Sequence, residues 1–130
     1  MAAPSRVAER GHLMIIEDEP VLAAAMARQL AGRFEVEIAH DAHDALRALE
    51  RTEFDVVLCD VRLPGLSGMQ LFEAAARGRP ELAARFVLLT GAALDGTLQD
   101  FVRRHGIRVL EKPFDAMELD RVVLRAASAS

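Results

Sequence analysis

Five times along the chain a short apolar run stops abruptly at a polar residue and is followed by a stretch whose apolar side chains recur at helical spacing. The runs occupy residues 13–16, 34–39, 55–60, 86–90 and 108–113. Segments this short, bounded by turn residues and dense in Val, Ile, Leu and Phe, read as strands covered on both faces. The second differs, because Val36 and Ile38 alternate with Glu35 and Glu37, which gives a strand with one wetter face. Between the runs, Leu22, Met26 and Leu30 form one helical stripe over residues 21–31, closed by Gly32. Asp41 caps a helix to Glu50 whose inner face is Ala42, Ala45, Leu46 and Leu49, and Ser67 starts another that runs to Ala76 through Phe72. Residues 96–105 carry Leu98, Phe101 and Val102, and residues 115–126 form the last helix. Five strand-then-helix units in succession require a parallel sheet with right-handed crossovers and helices on both faces, so the expected fold is a doubly wound α/β domain.

Composition narrows the function classes. A chain of 130 residues, 52% hydrophobic and 28% charged, is expected to form one domain with a real core. We expect a leader over residues 1–11, the domain over 12–127 and a frayed end at 128–130. Sixteen basic residues against twenty acidic ones leave a net charge of −4, which argues against direct nucleic-acid binding. The single cysteine, Cys59, can form no internal disulfide and reads as core, with a reducing compartment as the default. No apolar run approaches the roughly 20 residues that span a bilayer, and the first residues lack a signal-peptide core, so a cytoplasmic protein with no membrane partner is expected. Fifteen of the sixteen basic residues are arginine; the exception is Lys112.

Parallel strands deliver their last residues to one edge of the sheet, where ligands of such folds bind. The residues delivered here are Glu17 and Asp18, then Asp60, then Thr90, then Lys112. Taken singly, each has an ordinary explanation: an acid at a strand end is usually solvated or caps a helix, and a threonine is at home in a strand. Together they form a chemical set. Three crowded carboxylates call for a cation, and oxygen ligands of this kind suit Mg²⁺. A hydroxyl and an ammonium beside them can hold the oxygens of a phosphoryl group. His12, His40, His43 and His105 are scattered and read as surface or helix-end residues; the chain has no glycine-rich phosphate loop and no Ser/His/Asp arrangement.

Four segments carry a resemblance to a known family: Ile16-Glu17-Asp18-Glu19-Pro20, the run from Cys59-Asp60 through Leu63-Pro64-Gly65 to Gly68-Met69, Leu89-Thr90-Gly91, and Glu111-Lys112-Pro113-Phe114. In this combination the chain resembles the receiver domain of bacterial two-component response regulators, stand-alone or joined to a hybrid histidine kinase, over about residues 13–126. The resemblance implies a flavodoxin-like five-stranded sheet of order 2-1-3-4-5. It also implies a signalling phosphoacceptor that assists its own phosphorylation and dephosphorylation rather than an enzyme in the usual sense. By resemblance Asp60 is the phosphoacceptor, and Mg²⁺ is held by Asp18, Asp60 and the backbone carbonyl of Arg62, with Glu17 acting largely through water. Thr90 hydrogen-bonds the phosphoryl group and Lys112 pairs with it. The implied partners are a histidine kinase or a histidine phosphotransfer protein, with a weak homodimer through the last helices as a family possibility.

The chain departs from the family pattern in places. Glu17 stands where Asp is more usual. Val109 takes the fifth-strand position that commonly holds an aromatic residue turning inward with the threonine. Gly91 leaves the site open, and Arg62 and Ala92 flank it at variable positions that tune the lifetime of the acyl phosphate. Two other readings follow: a receiver-like interaction module that no longer takes phosphate, favoured by Val109, and an Mg²⁺-dependent aspartyl phosphohydrolase. The latter needs a second acid two residues after the nucleophile, where this chain has Arg62.

Overall fold

The computed structural model describes residues 10–91 and 95–129. Strand β1 (Gly11–Ile16) leads into helix α1 (Pro20–Leu30), β2 (Phe34–Ala39) into α2 (Ala42–Arg51), and β3 (Val56–Asp60) into α3 (Gly68–Ala76). A short helix α4 (Leu82–Arg85) precedes β4 (Phe86–Thr90), followed by α5 (Gly96–His105), β5 (Arg108–Glu111) and α6 (Ala116–Ser128). All strand pairs are parallel and the sheet order is 2-1-3-4-5, as the resemblance implied.

Alternation along the central strands divides the core in two. Met14, Ile16, Val57, Cys59, Phe86 and Leu88 face the side covered by α2, α3 and α5, whereas Leu13, Ile15, Val56, Leu58, Val87 and Leu89 face α1 and α6. Each large aliphatic side chain removed from water in this way contributes roughly 1.5–3 kcal/mol, which explains why β1, β3 and β4 read as unbroken apolar runs. Helix starts are fixed by side-chain caps. Asp41 accepts from the Asp44 N–H, Asp95 from the Leu98 N–H, and Ser67 and Asp115 each form reciprocal capping boxes with Gln70 and Glu118. At α1 the side-chain cap is absent, and Pro20 in the first turn sets the helix direction instead.

Local differences from the expected elements have simple causes. Ala48, not Leu46, completes the buried face of α2, and Leu46 sits half-buried at its margin. Asp55 falls just before β3, where its carboxylate accepts from the His12 N–H at 2.8 Å. Helix α4 was not expected; only Leu82 of its four residues is buried, so it lacks a periodic stripe. Strand β5 ends at Glu111, which leaves Lys112 just beyond the sheet. The expected leader falls largely on residues 1–9, which lie outside the described residues, as does Ser130; β1 already includes Gly11 and α6 continues through Ser128. Among the described residues no helix is long and apolar enough to cross a membrane.

Candidate functional site

The five residues singled out at the strand ends meet at one edge of the sheet. Glu17 follows β1 directly, held there by its own N–H donating to Ala39 O at 3.1 Å. It is almost fully buried, with one oxygen accepting from the Glu19 N–H at 3.2 Å and the other from Lys112 Nζ at 3.1 Å. Asp60, the last residue of β3, is also buried; its Oδ1 accepts from the Arg62 N–H at 2.8 Å and its Oδ2 from Lys112 Nζ at 2.6 Å. Asp18 is exposed at the rim, and oxygens of Glu17, Asp18 and Asp60 lie within 4.8 Å of one another. These groups line a cavity of about 390 Å³ together with Glu19, Arg62, Gly91 and Lys112.

Backbone contacts set this geometry. The Val61 N–H donates to Leu89 O at 2.9 Å, which carries the β3–β4 ladder past Asp60, and the Lys112 N–H donates to Thr90 O at 2.7 Å, which fixes the lysine against the end of β4. Gly68 opens α3 directly over the loop that follows Asp60, its N–H donating to Val61 O at 2.7 Å. Sequence reasoning quoted Gly68 only as part of a motif; its packing against the Asp60 carbonyl has no signature beyond the glycine itself. Thr90 ends β4, is buried, and is not among the residues that line the cavity. Ala92 lies outside the described residues. His40 is exposed, but its Nδ1 lies 3.1 Å from Glu17 O and touches the site through the backbone.

The electrostatics are those of a site short of positive charge. Burial raises the carboxyl pKa of Glu17 to about 7, against the lowering effect of its hydrogen bond from Lys112, and the nearby negative charge of Asp60 raises it further. For Lys112, burial acts downward but the hydrogen bonds to Asp60 and Glu17 outweigh it, so its pKa lies above the ordinary lysine value and it stays an ammonium. Cys59, fully buried, has its thiol pKa pushed up chiefly by burial, which fits a core role. A single ammonium shared between two buried carboxylates, with a third at the rim, leaves negative charge uncompensated. The donor set is all oxygen and partly exposed, and it fits a small hard dication that keeps some of its water.

A doubly wound 2-1-3-4-5 sheet with an acidic cluster and a lysine at its carboxyl edge defines the class of CheY-like receiver domains. The family model of the response regulator receiver domain matches residues 13–124, and this chain belongs to that family. It is similar to the transcriptional activator protein PfeR of Pseudomonas aeruginosa, with 33% identity over 109 residues covering 83% of this chain and 35% of that protein. It is also similar to the transcriptional regulatory protein TcrA of Mycobacterium tuberculosis, 32% identical over 117 residues that cover 82% and 42% of the two chains. Among solved structures, a CheY-like receiver domain protein from Methanospirillum hungatei superposes with a TM-score of 0.81 at 25% identity, over 89% of this chain and 92% of that one. The chain thus spans 35% and 42% of the length of these two curated relatives.

Proposed function

We propose that this receiver is an active phosphoacceptor, with Asp60 taking a phosphoryl group from the phosphohistidine of a histidine kinase or a histidine phosphotransfer protein. The observation that carries the reading is the convergence of the Asp60 carboxylate, Lys112 Nζ at 2.6 Å and the Glu17–Asp18 pair around one open cavity. An Asp60 oxygen attacks phosphorus, the P–N bond breaks, and the departing imidazole keeps the electron pair and takes up a proton from water. Lys112 then moves from the Asp60 carboxylate to a phosphoryl oxygen, which its flexible stem allows. The Thr90 hydroxyl, at the adjacent strand end, hydrogen-bonds the same group. Glu17, Asp18, Asp60 and the backbone carbonyl of Arg62 would hold Mg²⁺, which when bound screens the repulsion between the carboxylates and the incoming phosphoryl oxygens. The setting for this chemistry is the cytoplasm, and the receiver unit corresponds to residues 12–127.

One observation favours a second reading, a receiver-like module that binds partners without phosphate. Val109 pairs with Leu88 in register and packs on the same face of the sheet, so a valine rather than an aromatic ring holds this position of β5. The experiment that separates the two is incubation with Mg²⁺ and phosphoramidate, read by intact mass, together with NMR of the beryllofluoride complex. Gain of one phosphoryl group, lost in Asp60→Asn, supports the phosphoacceptor. A phosphoryl group on another residue, or no spectral response to beryllofluoride, overturns it.

A further inference from the structure

A second cleft lies far from Asp60. In a strand-then-helix unit the helix runs back antiparallel to its strand, so the C-terminal ends of α3 and α5 sit at the sheet edge opposite the acidic site. Between them is a groove of about 660 Å³ lined by Phe72, Ala76, Pro80, Arg77, Arg104 and His105. Its size is that of a small-molecule pocket. We infer that this groove binds a small organic carboxylate with an apolar body.

Three features converge on that ligand. First, Arg77 and Arg104 form no ion pair among the described residues, whereas nearby Arg79 and Arg103 pair with Glu81 and Asp100. Two uncommitted guanidiniums lining an apolar cleft, in a chain of net charge −4, are suited to one carboxylate gripped by planar forks. Glu73 is the one acidic residue lining the groove, so its local balance is positive. Second, His105 is not the simple helix-end residue its sequence position suggests: its ring packs 4.6 Å from Phe101 and 5.1 Å from Phe72. Its Nε2 is buried with no hydrogen-bond partner among the described residues. Buried polar atoms are nearly always partnered. Nε2 is closed to solvent, so a groove-bound carboxylate accepts from Nε2–H only when the ring turns out from its packing against Phe72 and Phe101. Third, Ala76, Pro80 and Ala83 line the same space beside the buried Phe72, which suits an apolar body on the ligand. Complementing the helix dipole accounts for Arg104 in the last turn of α5. It accounts for neither the cleft nor the orphaned ring nitrogen.

The test is an NMR titration of the full chain with phenylacetate, phenylacetamide and acetate as probes. Phenylacetate should give saturable shifts at amides of residues 72–77, 81–83 and 104–106 and move the His105 imidazole nitrogen resonance. Phenylacetamide should bind at least fivefold more weakly, and acetate should leave these amides in place. Arg77→Gln/Arg104→Gln should weaken phenylacetate at least fivefold; Arg77→Gln alone, at an exposed helix end, serves if the double variant is unstable. Absence of saturable shifts, or an affinity unchanged by removal of either the ligand charge or the arginines, overturns the inference. A double variant that loses thermal stability yet titrates like the wild type does so too, since the arginines then only complement the helix ends. Phosphoryl transfer to Asp60 draws on none of these residues, so the two readings stand or fall separately.

Discussion

Gly68→Ala tests whether the start of α3 is what holds the loop after Asp60 in place. A Cβ at Gly68 would lie 2.5 Å from the Asp60 carbonyl oxygen and 3.0 Å from Val61 Cα. The closest ordinary C···O approach is about 3.3 Å, so helix and strand end must separate by roughly 0.8 Å. Both colliding atoms are backbone, and no side chain can swing aside. Such overpacking costs about 1–3 kcal/mol. The Gly68 N–H to Val61 O bond of 2.7 Å stretches beyond useful range, removing roughly another 1 kcal/mol. The lower entropy of an unfolded alanine returns about 0.4–1 kcal/mol. The net loss is about 1–3.6 kcal/mol, and for a domain of this size the melting temperature should fall by roughly 3–18 °C. Thermal unfolding followed by circular dichroism measures it, with Gly96→Ala as the control. Nothing lies within 4 Å of a Cβ at Gly96, which also begins a helix. If Gly68→Ala melts like Gly96→Ala, the close approach is not structural and the account of how α3 frames the site fails.

Two further predictions concern charge at the site. Lys112→Met leaves Glu17 and Asp60 buried without their shared cation. Because Glu17 can take a proton, the loss should be about 1–3 kcal/mol rather than the full cost of breaking a buried pair. Millimolar Mg²⁺ should raise the melting temperature of the variant more than that of the wild type, and an equal or smaller gain would show that lysine and metal do not share the carboxylates. The Glu17 carboxyl keeps its proton to about pH 7 in the folded chain against an ordinary 4.5. The folded state therefore binds more protons across that window. Glu17 contributes stability that is fully present below pH 4.5 and lost as pH rises through 7, up to about 3 kcal/mol in metal-free protein. Urea unfolding in EDTA at pH 5 and pH 8 should show this loss in wild type and a smaller one in Glu17→Gln. Identical pH dependence in the two would refute the assignment.

The sheet was legible because its central strands are buried on both faces. Leu13 to Ile16 and Phe86 to Leu89 are apolar at every position, a pattern a surface helix cannot carry. The edge positions of Glu17, Asp60 and Lys112 followed from strand ends alone. What escaped the sequence was decided by packing between segments distant in the chain. Helix α4 is four residues long with one buried side chain, too short to show a period. Ala48 rather than Leu46 is buried because it continues the i, i+3 row of Ala42 and Ala45, while Leu46 stands at the margin of that row. His105 offers no local sign that two phenylalanines, one of them from α3, will enclose its ring.

The same distinction bears on how the site works. Strand ends determine which groups meet, but their charge state arises only after they have met. A glutamate in sequence is an acid of ordinary strength; beside Asp60 and out of water it becomes a group that exchanges its proton near neutrality. Lys112 changes in the opposite sense, because the two carboxylates outweigh its own desolvation and hold its charge. The single lysine in a chain of arginines is therefore placed where a compact, mobile ammonium serves better than a planar fork. It bridges the carboxylates of Glu17, just after β1, and Asp60, at the end of β3, and it stands within reach of any group that arrives between them.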